Sequence, residues 1–275
     1  MDVTAHIESF FESEGIASYG TIPFSSCRIT NERALIRLFG ERMPKKVIMA
    51  AVPYLVKRLP KNISAYAFSR DYHLYFKKLY TKMRAYLDNM GAECEFVISG
   101  DNSPIDERFA AMECGIGFVG RNGLLINEIY GTYFFLCGIY FFDDIPSVSK
   151  NTTKRKTCLE CGRCISSCPT GTLLSMDYEK CLSAITQKKS ISEEEEETIK
   201  KNGSVWGCDV CQEVCPHNRN ALETEIDFFK NDTVSFLDDA ILDDMLKTDA
   251  FSERAFAWRG ERVVRRNIDI INVRK

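Results

Sequence analysis

The segment 158–169 reads Cys158-x2-Cys161-x2-Cys164-x3-Cys168-Pro169. This is the bacterial ferredoxin run, in which three thiolates hold one [4Fe–4S] cluster and the fourth cysteine ligates the other. Two-residue gaps let three thiolates converge on one cluster while backbone N–H groups face its sulfides. Pro169 turns the chain after the crossing cysteine, because it has no N–H to continue a ladder. A less regular set follows, Cys181 and then Cys208-x2-Cys211-x3-Cys215-Pro216. By the crossing rule, Cys158, Cys161, Cys164 and Cys215 form a first site, and Cys168, Cys181, Cys208 and Cys211 a second. The stretch between Cys181 and Cys208 is then an insertion that leaves ligation intact. CxxC pairs also make structural zinc sites, but the four-cysteine run and the repeated Cys-Pro fit zinc poorly. Two [4Fe–4S] clusters moving single electrons at low potential are the expectation. Cys27, Cys94, Cys114 and Cys137 are scattered and read as small buried hydrophobes.

Two further patterns call for a chemical reading. Gly115-Ile-Gly-Phe-Val-Gly120 matches GxGxxG, but a dinucleotide site needs a strand before the glycines and a helix after them. Here a helical pattern (104–113) comes first and the strand-like Leu124–Ile126 follows, so a nicotinamide cofactor is rejected. Asp101, shortly before Ser103-Pro104, suits either the N-cap of a helix beginning near Pro104 or an acid with a chemical task.

The elements that would position these groups follow from hydrophobic periodicity. Helical patterns cover about 4–15, 71–90 and 104–113, and β-rich runs cover Val47–Val56, Glu95–Ser99, Leu124–Ile126 and Thr132–Phe142. The last run is apolar on both faces, as a central strand would be. Residues 1–150 therefore read as a mixed α/β domain, 151–218 as the cysteine domain and 219–275 as a helical, basic segment. With 275 residues and 45% hydrophobic content the chain can bury a substantial core. No run of about 18 apolar residues marks a membrane span, and the acidic N-terminus is not a signal peptide. The expected setting is therefore cytoplasmic and reducing, and with eight of the twelve cysteines at ligand spacing, metal is a better reading than disulfides.

The net charge of -3 argues against a generally basic surface for nucleic acid. A local excess of Arg254, Arg259, Arg262, Arg265, Arg266, Arg274 and Lys275 stands against Glu253, Glu261 and Asp269. It either meets phosphates or balances the run Glu193–Glu197, itself read as a solvated helix face.

Several segments together resemble the epoxyqueuosine reductase family. They are Tyr66-Ala-Phe-Ser-Arg70-Asp-Tyr-His73, the stretch Asp101-Asn-Ser-Pro-Ile-Asp-Glu-Arg, GIGFVGRNGLLI and YGTYFFLCGIYF. The cysteine region (CLECGRCISSCPTGTL, CLSAIT, WGCDVCQEVCPHN) and Phe256-Ala-Trp-Arg-Gly complete the match. The resemblance implies an α+β fold: a nitroreductase-like α/β cobalamin domain, a two-cluster ferredoxin-like domain and a short helical tail. It implies base-off cobalamin beside the second cluster, electrons from an external flavodoxin- or ferredoxin-type donor, and removal of the epoxide oxygen of epoxyqueuosine in tRNA. Asp101 takes the family's proton-donor position. Tyr66, Arg70 and His73 become candidates for corrin contacts, His73 otherwise being an ordinary core or surface histidine. Arg121, Leu125, Leu136 and Ile139 would wall the corrin, their plainer reading being ordinary core. Ser183 would sit between the second cluster and the corrin. Full-length relatives continue into helical repeats that grip tRNA, so this chain is expected to be a short form relying on its basic tail. A corrinoid reductase of a small molecule and a non-catalytic ferredoxin-type carrier are the alternatives; a carrier would not need Asp101 or the YAxxRDYH segment.

Overall fold

The computed structural model describes residues 3–151, 157–175 and 177–272. The first part runs α1 (Val3–Ser13), β1 (Tyr19–Pro23), α2 (Glu32–Phe39), β2 (Lys46–Pro53), α3 (Tyr72–Asn89), β3 (Phe96–Ser99) and α4 (Glu107–Glu113). It continues through β4 (Phe118–Val119), β5 (Leu125–Ile126), β6 (Phe134–Phe141) and β7 (Ser149–Lys150). Five strands form one sheet in the order β3-β6-β2-β1-β7, every neighbouring pair antiparallel.

β2 and β6 are apolar on both faces because both faces of the sheet are covered. Side chains alternate across a strand, so Ile48, Ala50, Cys137 and Ile139 pack with α1 and α3 in one core. Val47, Met49, Phe134 and Tyr140 pack with α4 and Phe39 of α2 in the other. Continuous apolar strands usually mark parallel sheets; here an antiparallel sheet reaches the same burial by carrying helices on both sides. Phe229, Leu242, Phe256 and Val264 from beyond residue 219 complete the first core.

The GxGxxG segment forms no phosphate loop. Phe118–Val119 pairs with Leu125–Ile126 as a hairpin, and a Cβ on Gly117 would collide with the Ile126 carbonyl oxygen. Glycine there permits a close backbone approach. The helix expected from residue 104 starts at Glu107, with Asp106 as its N-cap accepting from the Phe109 N–H. Asp101 is therefore not the cap.

The cysteine region is a string of short helices: α5 (Arg163–Ser166), α6 (Thr172–Ser175), α7 (Leu182–Ile185), α8 (Glu193–Asn202) and α9 (Val210–Glu213). The insertion between Cys181 and Cys208 holds α8, whose N-terminus is closed by a reciprocal Ser192–Glu195 capping box. Its glutamates are mostly exposed, while Ile199 packs with Leu182, Ile185 and Ile270 in a small separate core. α10 (Asp227–Lys230), α11 (Asp239–Lys247) and α12 (Glu261–Asn272) follow. Among the described residues no helix is long and apolar enough to cross a membrane.

Candidate active site

The eight motif cysteines gather in two groups. Cys164 lies within electrostatic reach of Cys158 and Cys215, and Cys215 within reach of Cys158 and Cys161. Cys208 faces Cys181 and Cys168, and Cys211 faces Cys208 and Cys181. This is the grouping the crossing rule gives. Cys211 also feels Cys164 of the first group, so the two groups adjoin. The donor set, two adjoining all-thiol quartets, fits two cubanes.

Burial pushes the Cys168 thiol up, but backbone hydrogen bonds from Leu173, Thr170 and Thr172 and the Thr170 hydroxyl outweigh it and lower it. Converging N–H groups are what a negatively charged cluster needs. Cys94, Cys114 and Cys137 are buried and Cys27 is half-buried; burial raises all four thiols.

Asp209, between Cys208 and Cys211, ties the second quartet to the sheet domain. Its buried carboxylate accepts from Ser64 Oγ, from the Ala65 N–H at 2.8 Å and from Lys61 Nζ and Gln212 Nε2, each at 3.0 Å. Gln212 Oε1 accepts in turn from Thr132 Oγ1 at 2.8 Å. Asn218 brackets Thr132, accepting from its N–H and donating to its Oγ1, both at 2.8 Å.

From that anchor the structure leads to Asp101. The Trp206 indole N–H donates to Tyr66 OH at 2.7 Å. Burial, then the charges of Asp209 and Asp101, raise the Tyr66 phenol. Asp101 is exposed, and its Oδ2 accepts from Tyr72 OH at 2.9 Å. Tyr72 is itself clamped between Phe135 and His73, with ring centroids 4.3 and 4.2 Å away. Asp101 and Asn102 both adopt left-handed backbone, φ +52° and +39°. Two consecutive non-glycine residues there cost of order 1–3 kcal/mol each and persist only where their surroundings enforce them. A carboxyl group on such a turn, held by a half-buried phenol, is fixed in its orientation.

Residues 157–218 match the family of 4Fe-4S double cluster binding domains. An epoxyqueuosine reductase of Francisella cf. novicida is 33% identical over 204 residues, 68% of this chain and 56% of the relative. One from Aliivibrio fischeri is 36% identical over 180 residues, 62% of this chain and 47% of the relative. The chain thus spans about half the length of the curated relatives it matches. The solved structure of the Streptococcus thermophilus epoxyqueuosine reductase superposes with a TM-score of 0.75 at 23% identity, covering 98% of this chain and 81% of that one. This chain is a relative of the epoxyqueuosine reductases. A further reductase of similar fold (TM-score 0.74, 20% identity, 97% of this chain and 80% of that) was solved with an epoxyqueuosine-modified tRNA-Tyr stem loop.

Against an epoxyqueuosine reductase template, the residues named from sequence fall into separate places. Tyr66, His73 and Asp101 come together around Tyr72. His73 Nδ1 lies 2.8 Å from Asp71 Oδ1, a bond that raises its pKa and fixes the ring at the start of α3. Ser183, on α7 two residues after Cys181, is half-buried and accepts from Gln187 Nε2 through its carbonyl. Arg70 turns the other way, over the Phe228 ring at 4.8 Å and beside Glu253 at 3.4 Å. Arg121 lines a cavity with Cys158, Cys161, Cys164 and Cys215, beside the first quartet and not with the Asp101 group. Leu136 and Ile139 lie on opposite faces of β6: Leu136 packs with Leu125 in one core, and Ile139 is fully buried in the other. They cannot form one wall.

The basic tail is largely engaged within the fold. Arg254 is buried and donates to the Asp232 carboxylate at 2.6 Å and its carbonyl at 2.7 Å. Arg265 pairs with Asp243 at 2.7 Å, and Arg266 Nη1 donates to the Lys188 carbonyl at 2.8 Å while feeling Glu195 and Glu196. Arg259 stacks on the exposed Trp258 ring at 3.8 Å, and Arg262 is exposed. Arg274 and Lys275 lie outside the described residues.

Tyr72 is the functional contact that sequence reading passed over. It lies inside the same segment as Tyr66, Arg70 and His73, but its partner is 29 residues away, and only the fold shows which of the two tyrosines meets Asp101.

Proposed function

We propose that the protein is a cobalamin- and iron–sulfur-dependent reductase that converts epoxyqueuosine to queuosine in tRNA. The observation that carries this reading is Tyr66, whose phenol feels both Asp209, set between Cys208 and Cys211, and Asp101. Cys158, Cys161, Cys164 and Cys215 would hold a [4Fe–4S] cluster suited to receive electrons from an external flavodoxin- or ferredoxin-type donor, and Cys168, Cys181, Cys208 and Cys211 a second one adjoining it, in a reducing cytoplasmic setting. The domain assignment 1–150, 151–218 and 219–275 and a nitroreductase-like ancestry for the first part belong to the same reading.

Tyr66, Tyr72 and Ser183 would face a corrinoid: Tyr72, stacked with Phe135 and His73, offers a flat aromatic surface, and Ser183 is small. When bound, cobalamin supplies low-potential two-electron chemistry at a carbon centre, tuned by its surroundings. The chain's own residues do the rest. Asp209 and its partners fix the second quartet against the sheet domain, Trp206 fixes Tyr66, and Asp101, steered by Tyr72, gives the departing epoxide oxygen its proton.

Anaerobic reconstitution with iron, sulfide and cobalamin, followed by gel filtration and a visible spectrum, tests the reading. About one corrinoid retained per chain, with the spectrum of the base-off form, is expected. A protein that carries both clusters and releases all corrinoid is an electron carrier, and the reductase reading fails.

A further inference from the structure

Asp101 opens onto a cavity that no role described above uses. It has a volume of about 640 Å³ and lies where α2, α3 and β3 meet; Arg37 of α2, His73, Lys77 and Tyr80 of α3, and Asp101 itself line it. β3 is the outermost strand of the sheet, so the cavity opens along an edge that no further strand of the described residues covers.

Its charges are unevenly paired. Asp71 Oδ1 lies 2.8 Å from His73 Nδ1, and Asp101 Oδ2 accepts from Tyr72 OH at 2.9 Å, so both nearby carboxylates have hydrogen-bond partners. Further along α3, Lys82 pairs with Glu14 at 2.7 Å and Arg84 with Asp88. Arg37 and Lys77 are exposed and have no ion-pair partner among the described residues. Exposed cations on a convex surface are usually only solvated. These two instead face a concave site whose walls include Phe76 and Ile98, and low-dielectric walls focus the field of the charges beside them. The volume is in the range of about 300–1,000 Å³ typical of small-ligand sites, enough for a nucleotide. Tyr80, 39% exposed, is braced by Phe96 with ring centroids 5.3 Å apart, and an aromatic face of this kind can stack a base of any sequence.

We propose that this cavity is the phosphate-binding side of the Asp101 site: Arg37 and Lys77 hold backbone phosphates of the RNA strand whose modified nucleotide reaches Asp101, and Tyr80 stacks a flanking base. This rests on the reading of RNA as the substrate. It also relocates the phosphate contacts expected of the C-terminal arginines. Arg254, Arg265 and Arg266 are engaged inside the fold, whereas Arg37 and Lys77 stand unpaired beside the acid.

Binding of a labelled, unmodified tRNA stem loop to the reconstituted holoprotein, titrated at several salt concentrations, tests the proposal. Arg37→Gln and Lys77→Gln should each weaken binding and lower the slope of log affinity against log salt by about 0.7–0.9, one phosphate contact. Lys77→Arg should keep the wild-type slope, and Tyr80→Ala should weaken binding with the slope unchanged. Lys78→Gln is the control: Lys78 is exposed on the same helix but does not line the cavity, so its slope should match wild type. Cluster and corrinoid spectra should match wild type in every variant, since all these side chains are exposed. Wild-type slopes in Arg37→Gln and Lys77→Gln, an equal fall in Lys78→Gln, or a holoprotein that does not bind the stem loop would overturn the proposal. The titration needs no epoxide, so the two readings fail separately. Protein that converts epoxyqueuosine with those slopes unchanged loses this site and keeps its function; protein with the predicted slopes and no conversion keeps the RNA site and is not the reductase.

Discussion

Asp101→Asn is expected to slow epoxide reduction by about 10²–10⁴-fold, the range a positioned general acid contributes, with cluster and corrinoid content unchanged. The asparagine oxygen can still accept from Tyr72 OH, so the turn keeps its anchor and only the transferable proton is lost. Single-turnover kinetics with pre-reduced protein check this, because they separate proton delivery from electron supply. A variant as fast as wild type would mean the departing oxygen is protonated by water or another group, and the strained Asp101–Asn102 turn would need a different explanation.

Cys211→Ser is expected to remove the second cluster, halve the iron content and abolish turnover, while the first cluster keeps its electron paramagnetic resonance signal. The reason is topological. Cys211 belongs to the quartet that Asp209 clamps against Ser64 and Ala65, the quartet that on the proposed reading passes electrons on to the Asp101 site. Cys137→Ser gives the contrast. Cys137 is fully buried in β6 and belongs to neither quartet, so its iron content should match wild type whatever its effect on stability. Equal loss of both signals in Cys211→Ser would show that the clusters assemble as one unit.

How much of this was legible beforehand depends on how local each feature is. The cysteines stand at short spacings, so the nearness of Cys215 to Cys158 and Cys161, and of Cys168 to Cys208, could be expected from the sequence. The long strands were legible too, since β2 and β6 carry unbroken apolar runs. β1 and α2 were missed: β1 is short, and α2 depends on an Asn31 cap and a single strongly buried edge around Ala34 and Phe39. Leu136 and Ile139 were assigned to one wall although their odd separation on a strand puts them on opposite faces. That error was avoidable by periodicity alone. Others were not. That Tyr72 meets Asp101, that Arg70 turns to Glu253, that Arg121 sits with the first quartet and that Asp209 joins two parts of the chain are contacts across long sequence separations. The basic tail misled for a similar reason: composition counts arginines, and Arg254, Arg265 and Arg266 find their partners inside the molecule.

The most direct measurement is nucleoside mass spectrometry of an epoxyqueuosine-modified tRNA stem loop incubated with the cobalamin-loaded protein and a low-potential reductant. The account predicts queuosine, one oxygen lighter, appearing with the reconstituted protein and falling to background with Cys211→Ser. Fully loaded, fully reduced protein that leaves every epoxyqueuosine intact would contradict it.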